Sequence, residues 1–78
     1  MLDICQIRMA RAALGWSIMD LAERSSVSIS TLKRLETETG LSKATSANIR
    51  LVCETLEAAG IEFIGGPGDG PGVRLWLK

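Results

Sequence analysis

Through the first sixty positions the apolar residues recur at helical spacing; after that they alternate. Ile4, Ile7 and Leu14 share a stripe with Arg11, and Ala10 and Ala13 are strong helix formers between them. Gly15 predicts a left-handed cap that ends this first helix. Ser17 predicts the N-cap of a second helix, with Asp20 three positions on as a carboxylate version of the capping box. That helix carries Ile18, Leu21 and Ala22 and stops near Ser25-Ser26. Ser28 predicts the cap of a third helix, which runs through Leu32 and Leu35 to about Glu36. After the loop that begins at Thr37-Glu38-Thr39-Gly40, a fourth helix is expected from Thr45 or Ser46. Its stripe is Ile49, Val52, Cys53 and Leu56, and Gly60 closes it.

Beyond Gly60 the period changes to two. Ile61–Ile64 and Val73–Leu77 read as short strands. Between them lie five glycines and two prolines in eight residues, Gly65 to Gly72. A glycine-rich stretch that cradles phosphate needs a strand before it and a helix after it, and here strands stand on both sides. A hairpin connector is the better reading. The predicted fold is therefore mainly α, four helices followed by a C-terminal β-hairpin, with a helical unit over residues 1–60 and the hairpin over 61–78. Only about three residues separate helices two and three, so they must cross steeply in a helix-turn-helix arrangement.

Composition sharpens this in two ways. The 78 residues contain no histidine and only two cysteines, Cys5 and Cys53. That excludes a histidine-ligated metal, a His-dependent triad and a zinc finger, and no cofactor is predicted. With no plausible nucleophile–base pair, an enzyme is not expected. Both cysteines fall on or beside apolar stripes and read as small buried hydrophobes. Charge sums to zero, yet it is unevenly placed: residues 8–50 hold seven basic against four acidic residues, and residues 51–78 hold two against four. A positive body with a negative tail suits contact with phosphate on one face, although ordinary surface charge would look the same. No signal peptide or membrane span is visible, which predicts a cytoplasmic protein with reduced thiols and no membrane partner.

From Gln6 to Glu36 the chain reads QIRMARAALGWSIMDLAERSSVSISTLKRLE. This segment, extended over about residues 4–60, resembles the Xre/Cro family of phage-repressor-like helix-turn-helix transcriptional regulators. In that light Ala22 is small where helix three crosses. Val27, Leu32 and Leu35 lock the pair to the core, and Trp16 begins helix two. The resemblance also implies an ion pair between Arg11 and Glu36. Two departures from the family pattern stand out: Ser26 stands where a turn glycine is usual, and Ile18-Met19 stand where a phosphate-holding glutamine is common.

The resemblance implies base contacts from Ser28, Ile29, Ser30, Lys33 and Arg34 on the third helix, with Arg34 matched to the O6/N7 edge of guanine and Ile29 to a thymine methyl. Read without the resemblance, the same residues would be the solvated face of a surface helix. It further implies phosphate contacts from Ser17, Thr37, Thr39, Lys43, Thr45 and Ser46.

The expected activity is that of a small autoregulatory repressor or dual-acting controller, binding double-stranded DNA at palindromic operators as a homodimer. The competing expectation is an antitoxin or anti-activator that works mainly through a protein partner. An isolated hairpin is marginal in water, so Val73, Leu75 and Leu77 are expected to cover the helices together with Ile61 and Phe63. Ile64, Val73, Leu75 and Trp76 are the candidate dimer contacts. A hairpin that merely folds back on its own helices remains the alternative.

Overall fold

A computed structural model describes residues 4–36, 46–66 and 68–77. Four helices appear among them: α1 (Ile4–Leu14), α2 (Ile18–Ser25), α3 (Ile29–Leu35) and α4 (Ser46–Ala58). The strands β1 (Ile61–Ile64) and β2 (Gly72–Leu75) follow. The arrangement is mainly helical with a C-terminal hairpin, as the periodicity predicts.

Each boundary in the first half has a local cause. Gly15, at φ +70°, ends α1 in a Schellman motif: its N–H donates to Ala12 O (3.2 Å) and the Trp16 N–H to Arg11 O (2.9 Å). Ser17 caps α2 with a reciprocal box. The Asp20 N–H donates to Ser17 Oγ (3.1 Å) and the Ser17 N–H donates to Asp20 Oδ2 (2.9 Å). Trp16 therefore precedes the cap rather than beginning the helix, because the chain is still leaving the α1 cap at that point.

The α2–α3 turn is closed by two serines. Ser26 takes up the left-handed conformation (φ 63°, ψ 19°) where glycine would be unstrained, and its N–H donates to Ala22 O at 3.0 Å. Holding a non-glycine residue there costs about 1–2 kcal/mol. Beside it Ser25 is buried; its hydroxyl donates to Leu21 O (2.7 Å) and accepts from the Val27 N–H (3.2 Å). The second bond supplies an acceptor for the Val27 N–H inside the turn.

The core consists of Ile7, Ala10, Leu21, Val27, Leu32, Leu35, Val52, Leu56 and Ile61, all buried. It draws on all four helices and the first strand, and α2 packs against both α3 and α4. Cys5 and Cys53 are half-buried, less enclosed than their stripes suggest.

The hairpin pairs antiparallel in the register Ile61↔Leu75, Glu62↔Arg74, Phe63↔Val73 and Ile64↔Gly72. Period-two alternation sends Ile61, Phe63, Val73 and Leu75 to the inner face, where they join the core or pack against it. The second strand stops at Leu75, two residues short of the predicted Leu77. Leu77 is 89% exposed and covers no helix. The Trp76 N–H still donates to Gly60 O (2.8 Å), which ties the strand's end to the α4 terminus. This closeness explains Gly60: at φ +108°, a Cβ there would sit 2.6 Å from Trp76 O.

Candidate nucleic-acid interface

The candidate surface is built from α3. Ser28 caps it, accepting from the Thr31 N–H (3.2 Å) and donating its hydroxyl to Thr31 Oγ1 (2.9 Å). Leu32 and Leu35 are buried, whereas Ile29, Ser30, Lys33 and Arg34 are exposed. At about 100° per residue these four occupy roughly 140° of the helix circumference. They form two adjacent ridges, Ile29 with Lys33 and Ser30 with Arg34. The structure thus brings four of the five predicted base-contact residues onto one solvent face. Ser28 is exposed beside them, but its hydroxyl proton is already given to Thr31.

Arg11 anchors the far end of this helix. Its Nε and Nη2 donate to Glu36 Oε2 (3.0 Å) and Oε1 (2.8 Å), and Nη1 donates to Trp16 O (3.2 Å). One guanidinium from α1 therefore ties together the end of α3 and the α1–α2 turn. The pair is largely shielded from solvent, with side chains 22% and 9% exposed. Partial burial and two-pronged geometry make it far stronger than a surface pair. It also pairs the carboxylate closest in sequence to Lys33 and Arg34.

The start of α2 is less suited to phosphate than Ser17 alone suggests. The Asp20 carboxylate already sits there, its pKa held below the ordinary range. The main cause is the bond from the Ser17 N–H, then the Ser17 hydroxyl, with Arg24 adding a smaller attraction. An approaching phosphate would meet that negative charge. Ile18 packs against the core and Met19 is 59% exposed, so neither replaces a phosphate-binding amide. Ser46 is exposed at the first residue of α4. Thr37, Thr39, Lys43 and Thr45 lie outside the described residues.

Of the candidate dimer contacts, Val73 and Leu75 belong to the inner face and pack against the chain's own core. That is the helix-covering face on which the alternation places them. Ile64 and Trp76 are exposed, at 36% and 57%. Trp76 is also fixed in place. Its Nε1–H donates to Glu62 Oε1 (2.7 Å), Arg74 Nη1 donates to the same oxygen (3.2 Å), and the Arg74 guanidinium lies 5.5 Å from the ring centre.

Sequence reading missed Gln6. Its side chain is fully buried on α1, and Nε2 donates to both Ile64 O and Gly72 O at 3.0 Å, bridging the two strands where they part. Only its polarity beside Ile7 hinted at a role. Cys53, the other group of chemical interest, is a poor thiolate: burial raises its pKa, and the carboxylates of Glu57 and Glu54 raise it further. No helix among the described residues is long and apolar enough to cross a membrane.

Comparison with curated proteins and with solved structures returned no match. A family model described as a helix-turn-helix domain matches residues 5–63, from the first turn of α1 into β1 and so across all four helices. With α2 and α3 joined by a three-residue turn and α3 presenting its outer face to solvent, the chain belongs to the helix-turn-helix domain family.

Proposed function

We propose that this protein is a sequence-specific DNA-binding transcriptional regulator of the Xre/Cro type, working by binding rather than catalysis. The observation that carries the reading is the outer face of α3. It combines two cations, a small hydroxyl and one aliphatic side chain on a helix locked to the core by Leu32 and Leu35. Such a face fits the major groove, with Arg34 able to take guanine bidentately and Lys33 a base or a phosphate.

We further propose that two copies bind a palindromic operator, joined through the outer hairpin face at Ile64 and Trp76. Half-sites would then lie about one helical turn, roughly 34 Å, apart. Glu62 and Arg74 on that same face make it self-complementary in charge across a two-fold axis. With this architecture the protein would serve as a small cytoplasmic autoregulatory repressor or dual-acting controller.

A second reading, an antitoxin or anti-activator that chiefly binds another protein, draws on the same outer face. Trp76 on that face, and Leu77 just past the end of β2, are large exposed apolar groups suited to any protein partner. An electrophoretic shift assay on the DNA flanking the protein's own gene separates the two. A discrete complex that resists competitor DNA supports the regulator; no complex at low salt favours the protein-binding reading.

A further inference from the structure

Resting on the DNA-binding reading above, we infer that Ile29 reads the C5 methyl group of a pyrimidine, accepting thymine and 5-methylcytosine alike. Ile29 is the first residue of α3 and stays 37% exposed in a face whose other members are polar or charged. It has no donor or acceptor, so it cannot distinguish bases by hydrogen bonding. The apolar feature a base edge offers in the major groove is the pyrimidine C5 methyl. Thymine and 5-methylcytosine carry it in the same place.

The neighbouring groups leave that contact undisturbed. Of the two serines that flank Ile29, Ser28 directs its hydroxyl to Thr31 Oγ1, and Ser30 lies about 100° round the helix on the other ridge. Lys33 lies one turn on and supplies a donor to the purine edge or the phosphate on the same ridge. The β-branched side chain is stiff at χ1 in a helix, so placing it against a methyl costs little further rotamer freedom. The partner is nucleic acid rather than protein because Lys33 and Arg34 share the face and would be costly to cover with an apolar surface.

Arg34 and Ile29 are five residues apart, about 7.5 Å along the helix axis. On a groove with base pairs about 3.4 Å apart, the methyl should lie within two or three steps of the guanine that Arg34 would take. Removing a methyl that Ile29 buries should weaken binding about fourfold per half-site, the equivalent of roughly 0.8 kcal/mol.

The experiment uses the full chain and a duplex selected from a random pool, titrated by fluorescence anisotropy at fixed salt. Each thymine is replaced singly by uracil. At the most sensitive position, cytosine and 5-methylcytosine are then compared, both paired with guanine. We expect one thymine per half-site to show the fourfold loss, and the cytosine methyl to restore a similar factor. Ile29→Ala should abolish both increments while keeping the guanine preference, and Ile29→Val should retain part of each.

The inference is overturned if no thymine is sensitive to uracil, if 5-methylcytosine gives no gain over cytosine, or if Ile29→Ala keeps the increments. In those outcomes sequence-specific binding still stands. If the pool yields no enriched sequence, the DNA-binding reading fails and the inference with it.

Discussion

The two outward surfaces of this chain, the face of α3 and the outer face of the hairpin, are held in place by opposite means. The α3 face rests largely on neighbours in sequence, with Ser28 capping to Thr31 and Ser25 closing the turn to Val27; the Arg11–Glu36 clamp and the core packing of Leu32 and Leu35 reach further. The hairpin rests on contacts across almost the whole chain. Gln6 reaches Ile64 O and Gly72 O, which are 58 and 66 residues away, and Gly60 admits the backbone of Trp76. A surface built locally keeps its shape when distant parts loosen; one built at long range depends on the entire fold. Here the local surface carries the proposed reading of bases, and the long-range one the proposed pairing of subunits.

The sharpest way to break this contrast is Gly60→Val. A β-branched side chain at φ +108° is strained and would collide with Trp76 O. We expect a loss of about 3 kcal/mol or more in urea unfolding. Amide exchange should accelerate in 61–64 and 72–75 well before it does in α3.

Arg11→Ala tests the other surface. It leaves the Glu36 carboxylate largely shielded and unpaired, which should cost about 3 kcal/mol and loosen the end of α3. If stability falls by under 0.5 kcal/mol, the magnitude expected of a surface pair, the clamp is not structural.

Gln6→Leu comes next, at about 2 kcal/mol, because two hairpin carbonyls lose their shared donor. Its effect should be confined to the hairpin. Sedimentation should show weakened self-association, while the affinity of a single half-site stays within twofold. A matching loss at the half-site would mean that the two surfaces are not separable.

The smallest effect is expected at Asp20. Its folded pKa is lowered, so its contribution is full above the unfolded value of about 3.9 and disappears as pH falls through the folded value. Unfolding midpoints measured from about pH 5 down to pH 2 should therefore decline, and Asp20→Asn should flatten part of that decline. An unchanged acid limb would show that the capping box does not contribute.

The same division explains what the sequence disclosed. The Gly15 and Gly60 caps, the Ser17–Asp20 box, the three-residue turn and the inward face of the hairpin were legible because each follows from residues a few positions apart or from simple alternation. Ser26 was legible as a left-handed residue only once the family pattern was laid over it. Trp16 was carried over from the family pattern as the start of α2, although the Ser17 box already marked the cap one residue later. Leu77 was placed over the helices with Val73 and Leu75, but it lies past the end of the paired strand and is exposed. Which strand residues are covered depends on where pairing stops, and that is set by Gly60 meeting Trp76. Gln6 left almost no trace, since its partners are backbone carbonyls that any residue possesses. On the candidate interface, exposure of Ile29, Ser30, Lys33 and Arg34 followed from helical period, but the commitment of the Ser28 hydroxyl to Thr31 Oγ1 showed only in three dimensions.

The central claim, that the outer face of α3 reads bases, is tested most directly by titrating wild-type protein and Arg34→Ala against the selected duplex. Each is also titrated against a copy in which the half-site guanine is changed to adenine. The wild type should lose about 1–3 kcal/mol on the altered duplex. Arg34→Ala, folded as judged by its unfolding midpoint, should bind the original duplex that much more weakly and be indifferent to the change. A folded Arg34→Ala that keeps wild-type affinity and still discriminates guanine from adenine would contradict the account.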